Sequence, residues 1–177
     1  MRALPLVLLI GCVPVGGFDA GVTTPSDAGA SVDAGVDAVK VGMLSRPEAI
    51  TVVARRLRAW PTLPLVLDPV MVAKSGAPLL RPEAAAALRQ ELMPLARVVT
   101  PNLPEAAVLL GERQEAVLEH REEACRRILS LGARAVVLKG GHAGGPESED
   151  LLLGEGVDGL VRLSAPRVAT KNTHGTG

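Results

Sequence analysis

Aromatic side chains are nearly missing from this chain of 177 residues: Phe18 and Trp60 stand alone, and there is no tyrosine. Stacking platforms for bases or sugar rings are thereby nearly excluded. Cysteine is almost as scarce. Cys12 and Cys125 cannot build the disulfide framework of a small secreted domain, and neither sits in a zinc-ligand spacing. An excess of one charge is lacking too, because 19 Lys and Arg balance 19 Asp and Glu. That balance argues against a partner built on a nucleic-acid backbone. The three histidines are scattered, so no zinc site is indicated. A membrane-spanning run is also missing: residues 4–10 form an apolar stretch of seven that contains Pro5, far short of the ~20 residues a spanning helix needs. What is present is 47% apolar residues, enough to bury the core of one domain.

The first 38 residues differ from the rest in composition. Two readings of their start stand side by side. Arg2, the apolar run and Leu9-Ile10-Gly11-Cys12 have the form of a signal segment with a lipoprotein-type cleavage site at Cys12. Alternatively, residues 6–10 are a short buried parallel strand turning into a loop at Gly16-Gly17. Residues 16–38 follow with Asp-Ala-Gly at Asp19, Asp27 and Asp33, four acids and no base, a composition that buries little and stays flexible. The expected organisation is this divergent segment, residues 1–38, followed by one domain over residues 39–177. Setting the first segment aside leaves 18 basic against 15 acidic residues, a balance compatible with phosphate ligands.

From Asp37 the pattern alternates between strand-like and helix-like runs. Residues 38–44 predict a strand. Ser45-Arg46-Pro47-Glu48 has the form of a capping box opening a helix to about Ala59, with Ile50, Val53, Ala54 and Leu57 on its buried side. Residues 63–67 predict a strand ending at Asp68, and residues 82–92 an alanine-rich helix. Residues 97–100 predict the next strand. A helix over 102–110 would be capped by Asn102 with Glu105 three positions on and closed by Gly111. A helix over 119–131 closed by Gly132, a strand over 133–138, and a hairpin from residues 151–153 and 157–163 complete the series. Short connections between alternating elements predict an α/β domain with a mostly parallel sheet covered on both faces. In such sheets ligands gather outside the carboxyl ends of the strands, which directs attention to residues 68–76, 100–105 and 139–144.

Each of these segments has a plain structural reading beside a chemical one. Asp68 at a strand end suits Mg²⁺, directly or through water, or else accepts neighbouring amides. Lys74 in its glycine-bearing loop reads first as a solvated lysine. Asn102 and Glu105 serve a helix cap, yet a carboxylate at a helix start also suits Mg²⁺ or a metal-bound water near phosphates. Lys139 before Gly140-Gly141 offers a cation and closely approaching amides to an anion. His142 and His174 read as turn or surface residues, and Glu112, Glu115, Glu119, Glu122 and Glu123 as solvated helix faces. Gly175-Thr176-Gly177 forms a turn whose successive amides can surround an anion.

Taken in order, Lys40-Val41-Gly42-Met43-Leu44, Asp68-Pro69-Val70-Met71-Val72-Ala73-Lys74-Ser75-Gly76, Thr100-Pro101-Asn102-Leu103-Pro104-Glu105-Ala106, Lys139-Gly140-Gly141-His142 and Asn172-Thr173-His174-Gly175-Thr176-Gly177 closely resemble the hydroxymethylpyrimidine/phosphomethylpyrimidine kinases of thiamine biosynthesis. The likeness runs from about Val36 to the last residue. It implies a ribokinase-like three-layer sandwich, incomplete here, and ATP- and Mg²⁺-dependent phosphorylation of 4-amino-5-hydroxymethyl-2-methylpyrimidine and then of its monophosphate. Carried over, the resemblance implies Asp68 and Glu105 as the metal-directed carboxylates, and Asn102, Lys139, Gly140, Gly141 and Thr173 at the nucleotide phosphates. Gly42 and Met43 would lie against the pyrimidine, and Gly175, Thr176 and Gly177 would begin the catalytic anion hole. It implies a cytoplasmic enzyme, free of nucleic acid, and allows a homodimer. Two departures stand out. The family follows Gly-Thr-Gly with a cysteine and a helix, where this sequence ends at Gly177, and its opening Gly-Ser-Asp and Gly-Gly-Ala-Gly loop is only echoed by residues 11–17. Weak or no turnover is therefore expected of these 177 residues. A pyridoxal-type kinase, and a non-catalytic exported lipoprotein anchored through Cys12, are the competing readings.

Overall fold

The computed structural model describes residues 36–73, 78–141, 143 and 145–168, together with the backbone of residues 8–10. The Asp-Ala-Gly tract, Cys12, Lys74, His142 and the 172–177 segment lie outside the described residues. Seven strands form one sheet in sequential order: β1 (Leu8–Ile10), β2 (Val39–Val41), β3 (Leu65–Leu67), β4 (Ala96–Val99), β5 (Ala135–Leu138), β6 (Glu147–Gly154) and β7 (Val161–Pro166). The first five run parallel, β6 pairs antiparallel with β5, and β7 pairs antiparallel with β6. Pairing of Leu8 with Val39 and Ile10 with Val41 realises the strand alternative for the first apolar run.

Between the strands lie α1 (Pro47–Arg58), α2 (Pro82–Ala87), α3 (Leu103–Leu110), α4 (Gln114–Glu119) and α5 (Arg121–Leu129). Sequential strand order has a topological consequence. Right-handed crossovers that always step the same way deposit every helix on the same face of the sheet. Side-chain links follow that layer: Thr51 of α1 donates to Glu91 beyond α2, and Arg89 donates to the Leu109 carbonyl of α3. The expectation of a sheet covered on both faces is thus corrected for the described residues, which supply the sheet and one helical layer of the three-layer sandwich.

The core sits between that layer and the sheet. Val41, Leu67, Val99 and Val136 are paired side by side across four parallel strands, and none has any exposed surface. Ile50 and Ala54 of α1, Leu103 and Ala106 of α3, and Ile128 of α5 pack into the same cluster. Each fully buried Val, Leu or Ile contributes about 1.5–3 kcal/mol. Cys125 belongs to this core as well. Burial pushes its thiol up to about 11, so it serves as a packing group and not as a nucleophile.

Three local expectations change. The capping box at Ser45 and Glu48 does not form: α1 opens at Pro47, Arg46 takes the N-cap place with extended backbone, and no side chain caps it. Proline presets the first helical φ and pushes its predecessor into an extended conformation, leaving Ser45 one residue too early. Helix α2 is shorter than expected, passing into a wider π turn over Leu88–Leu92 that keeps Leu88 and Leu92 buried. The helix expected over 119–131 forms as α5, and an unexpected short helix, α4, precedes it, the two parted at His120, whose φ of −125° and ψ of 48° leave the helical region. The acidic residues there are not merely solvated, since Glu112 pairs with Arg127 and Glu122 with Arg126 and Arg162. Among the described residues no helix is long and apolar enough to cross a membrane.

Candidate functional site

Strand register assembles the polar residues before any side chain is considered. Val41, Leu67 and Val99 pair across β2, β3 and β4, so the next residues, Gly42, Asp68 and Thr100, emerge in a row along the carboxyl edge. The Asp68 amide donates to Val41 (2.8 Å) and the Thr100 amide to Leu67 (2.9 Å). Lys139 follows β5, and its amide donates to the Pro101 carbonyl at 2.8 Å, joining it to the segment before α3.

Asp68 is the hub. Its Oδ1 accepts from Thr100 Oγ1 at 3.1 Å and from Lys139 Nζ at 3.2 Å, while Oδ2 lies 3.0 Å from Lys40 Nζ. Desolvation raises the Asp68 pKa, but hydrogen bonds and charge from Lys40 and Lys139 outweigh it and hold the carboxyl below its ordinary value.

Beside it, the start of α3 behaves as its sequence predicts. Asn102 Oδ1 accepts from the Glu105 amide (2.9 Å), and Glu105 Oε2 accepts from the Asn102 amide (2.8 Å), closing a capping box. Gly111 closes the helix in the left-handed conformation at φ 69°. Glu105 is only 3% exposed, and burial raises its pKa despite the Asn102 amide and the Lys139 charge.

The turn after Lys139 differs from expectation. The Gly140 amide donates to Asp150 Oδ1 at 2.7 Å, so it is already spent and does not reach toward an anion. The glycine is needed for another reason: a Cβ there would sit 1.8 Å from the Glu149 carbonyl oxygen. Around Gly141 a Cβ would meet nothing within 4 Å, and this exposed residue's carbonyl accepts from the Arg167 guanidinium at 2.7 Å. Gly42 and Met43, both half-buried, follow β2 on the same edge. Thr173 and Gly175 to Gly177 lie outside the described residues.

The metal expectation fits poorly. Among the described residues no three His, Cys, Asp or Glu side chains converge. Both oxygens of Asp68 face ammonium groups, and one oxygen of Glu105 is bound within its helix cap. A dication beside two ammonium groups would be repelled, so the residues present suit an ion-pairing role for Asp68 better than direct contact with Mg²⁺.

Sequence reasoning assigned Lys40 no role of its own, although a lysine between buried Val39 and Val41 was the available signal. Asp150 was missed because only the β5–β6 register brings it to Gly140. A separate cavity of about 390 Å³ lies between α4, α5 and β7, lined by Arg121, Arg126, Arg162, Glu122 and neighbours. Its arginines are matched by Glu122, Glu123 and Glu149, leaving no excess charge for a ligand.

Comparison with known proteins bears on what this rim belongs to. A sequence model of the family described as phosphomethylpyrimidine kinase matches residues 27–177. The chain belongs to that family. The hydroxymethylpyrimidine/phosphomethylpyrimidine kinase of Escherichia coli is 45% identical over 145 residues, which cover 82% of this chain and 54% of that protein. Two solved structures share the fold. An ADP complex of Bacillus subtilis pyridoxal kinase superposes with a TM-score of 0.70 at 37% identity, covering 79% of this chain and 52% of the other. The phosphomethylpyrimidine kinase of Clostridium difficile gives 0.62 at 39% identity, covering 71% and 53%. The chain therefore spans about half the length of these family relatives, and the family match begins upstream of Val36.

Proposed function

We propose that this chain provides the phosphate-binding rim of an ATP-dependent kinase acting on 4-amino-5-hydroxymethyl-2-methylpyrimidine and then on its monophosphate. The observation that carries this reading is the convergence of Asp68, Thr100, Asn102, Glu105 and Lys139 at the carboxyl ends of three adjacent parallel strands. Phosphoryl transfer asks little covalent chemistry of a protein and much alignment and charge stabilisation. In this reading Lys139 and the Gly141 turn hold the nucleotide's phosphates, a role the family resemblance extends to Thr173. Asn102 fixes the start of α3, and Gly42 with Met43 borders the pyrimidine. Gly175 to Gly177 would surround the transferred group. The substrate hydroxyl oxygen forms a bond to the terminal phosphorus as the bond to ADP breaks, and the hydroxyl proton is released. Mg²⁺, carried in with the nucleotide, would neutralise charge on its phosphates.

A second substrate, pyridoxal, is favoured by one specific observation, the TM-score of 0.70 to a pyridoxal kinase. The experiment combines calorimetry with AMP-PCP and phosphorus NMR of reactions containing ATP, Mg²⁺ and either alcohol. The expected result is saturable AMP-PCP binding and slow phosphorylation of the pyrimidine, with pyridoxal a poor competitor. Preferred phosphorylation of pyridoxal would move the chain to the second reading. Absence of both binding and transfer would leave family membership without kinase function.

A further inference from the structure

We propose that Lys40 is a positioning residue of the phosphate rim: by occupying one oxygen of Asp68, it keeps that carboxylate from closing on Lys139 with both. The inference rests on the phosphate-binding reading above and adds a residue to it. Lys40 stands in the middle of β2 between two buried valines, yet 40% of its side chain is exposed. Alternation along the strand turns Lys40 to the face opposite its two valines, so that it lies open to solvent and to neighbouring strand ends. Its partner is Asp68 Oδ2, at 3.0 Å.

Lys139 uses the other oxygen of the same carboxylate at 3.2 Å, with Thr100 beside it at 3.1 Å. One anion is thus divided between two cations. Lys40, Asp68 and Lys139 together carry one positive charge, which the neighbouring Glu105 carboxyl tempers because it interacts with both Lys139 and Asp68, and Lys139 engages Asp68 through Oδ1 alone, leaving ammonium hydrogens to offer a phosphate. Remove Lys40, and Asp68 is freed to chelate Lys139. The local charge then falls by one, and the nucleotide meets a neutralised lysine.

Counting charge in this way makes a test that a merely structural role would not pass. AMP-PCP and inorganic triphosphate are titrated calorimetrically into the 177-residue chain and three variants, each checked for folding by circular dichroism. Lys40→Met is expected to weaken both ligands about tenfold, the order of one charge acting across a partly exposed site. Lys40→Arg restores the charge and stays within about threefold of the parent. The decisive variant is Lys40→Met combined with Asp68→Asn. It restores the parent's net charge at the rim, so affinity is expected to recover to within about threefold of the parent although two partners are gone. Should Lys40→Met not fold, Lys40→Gln takes its place in both backgrounds. Unchanged affinity in Lys40→Met, or a double variant as weak as or weaker than the single, overturns the proposal. A parent chain that binds neither ligand refutes the phosphate rim itself, a result distinguishable from failure of Lys40 alone.

Discussion

Replacing Gly140 by alanine is expected to destabilise the fold by about 3 kcal/mol or more, at or above the upper end of overpacking costs. The added Cβ would lie 1.8 Å from the Glu149 oxygen and 2.8 Å from its carbonyl carbon. Neither side has freedom to retreat. Residue 149 belongs to β6, which is paired with β5 on one side and with Ser164 of β7 on the other, and the Gly140 amide is tied to Asp150. For a chain of this size each kcal/mol lowers the melting temperature by roughly 2–4 °C, so a fall of about 10 °C is the expected reading in a thermal melt. Gly141→Ala is the matched control. Its Cβ would meet nothing within 4 Å, and a change within about 0.5 kcal/mol is expected. Equal melting temperatures for the two variants would mean that the turn does not pack on β6 as described.

The largest functional effect is expected from Lys139→Met. Methionine retains most of the unbranched stem, so packing is nearly conserved, but the ammonium that faces Asp68 and the proposed phosphate position is lost. Hydrogen bonds to charged groups contribute about 1.5–3 kcal/mol, equivalent to roughly 10- to 150-fold in affinity. AMP-PCP binding should weaken by that factor. Stability should change much less, because the Lys139–Asp68 pair is partly open to water, at 21% and 19% side-chain exposure, and Asp68 keeps Lys40 and Thr100. An affinity within twofold of the parent would remove Lys139 from the phosphate site.

These two variants also mark what was legible before the structure. The start of α3 could be read directly because a capping box is local: Asn102 and Glu105 answer each other across three residues, and Gly111 supplies the left-handed stop. Lys139 could be singled out for the same kind of reason, standing where an apolar strand meets two glycines. The α1 cap failed for an equally local reason, since Pro47 outcompeted Ser45 in deciding where the helix begins.

Partnerships across the sheet were not legible. Lys40, Asp68 and Lys139 come from β2 and the ends of β3 and β5, and only strand order and register reveal that two lysines share one carboxylate. Gly140 is the clearest case. Its glycine suggested an anion-binding turn, whereas the 2.7 Å bond to Asp150 and the approach of Glu149 assign it to packing against β6. The one-sided helical layer was hidden in the same way, because periodicity identifies elements but not the direction in which successive strands are added.

The account depends most on the strand-end residues forming one surface that receives phosphates. The direct measurement is a titration of nitrogen-15-labelled protein with AMP-PCP, followed through backbone amide shifts. The predicted result is that the largest changes cluster at Asp68, residues 100–105 and residues 139–141, and saturate together with a single dissociation constant. Changes centred instead on Arg121, Arg126 and Arg162 beside α5, or spread over the sheet without saturation, would contradict it.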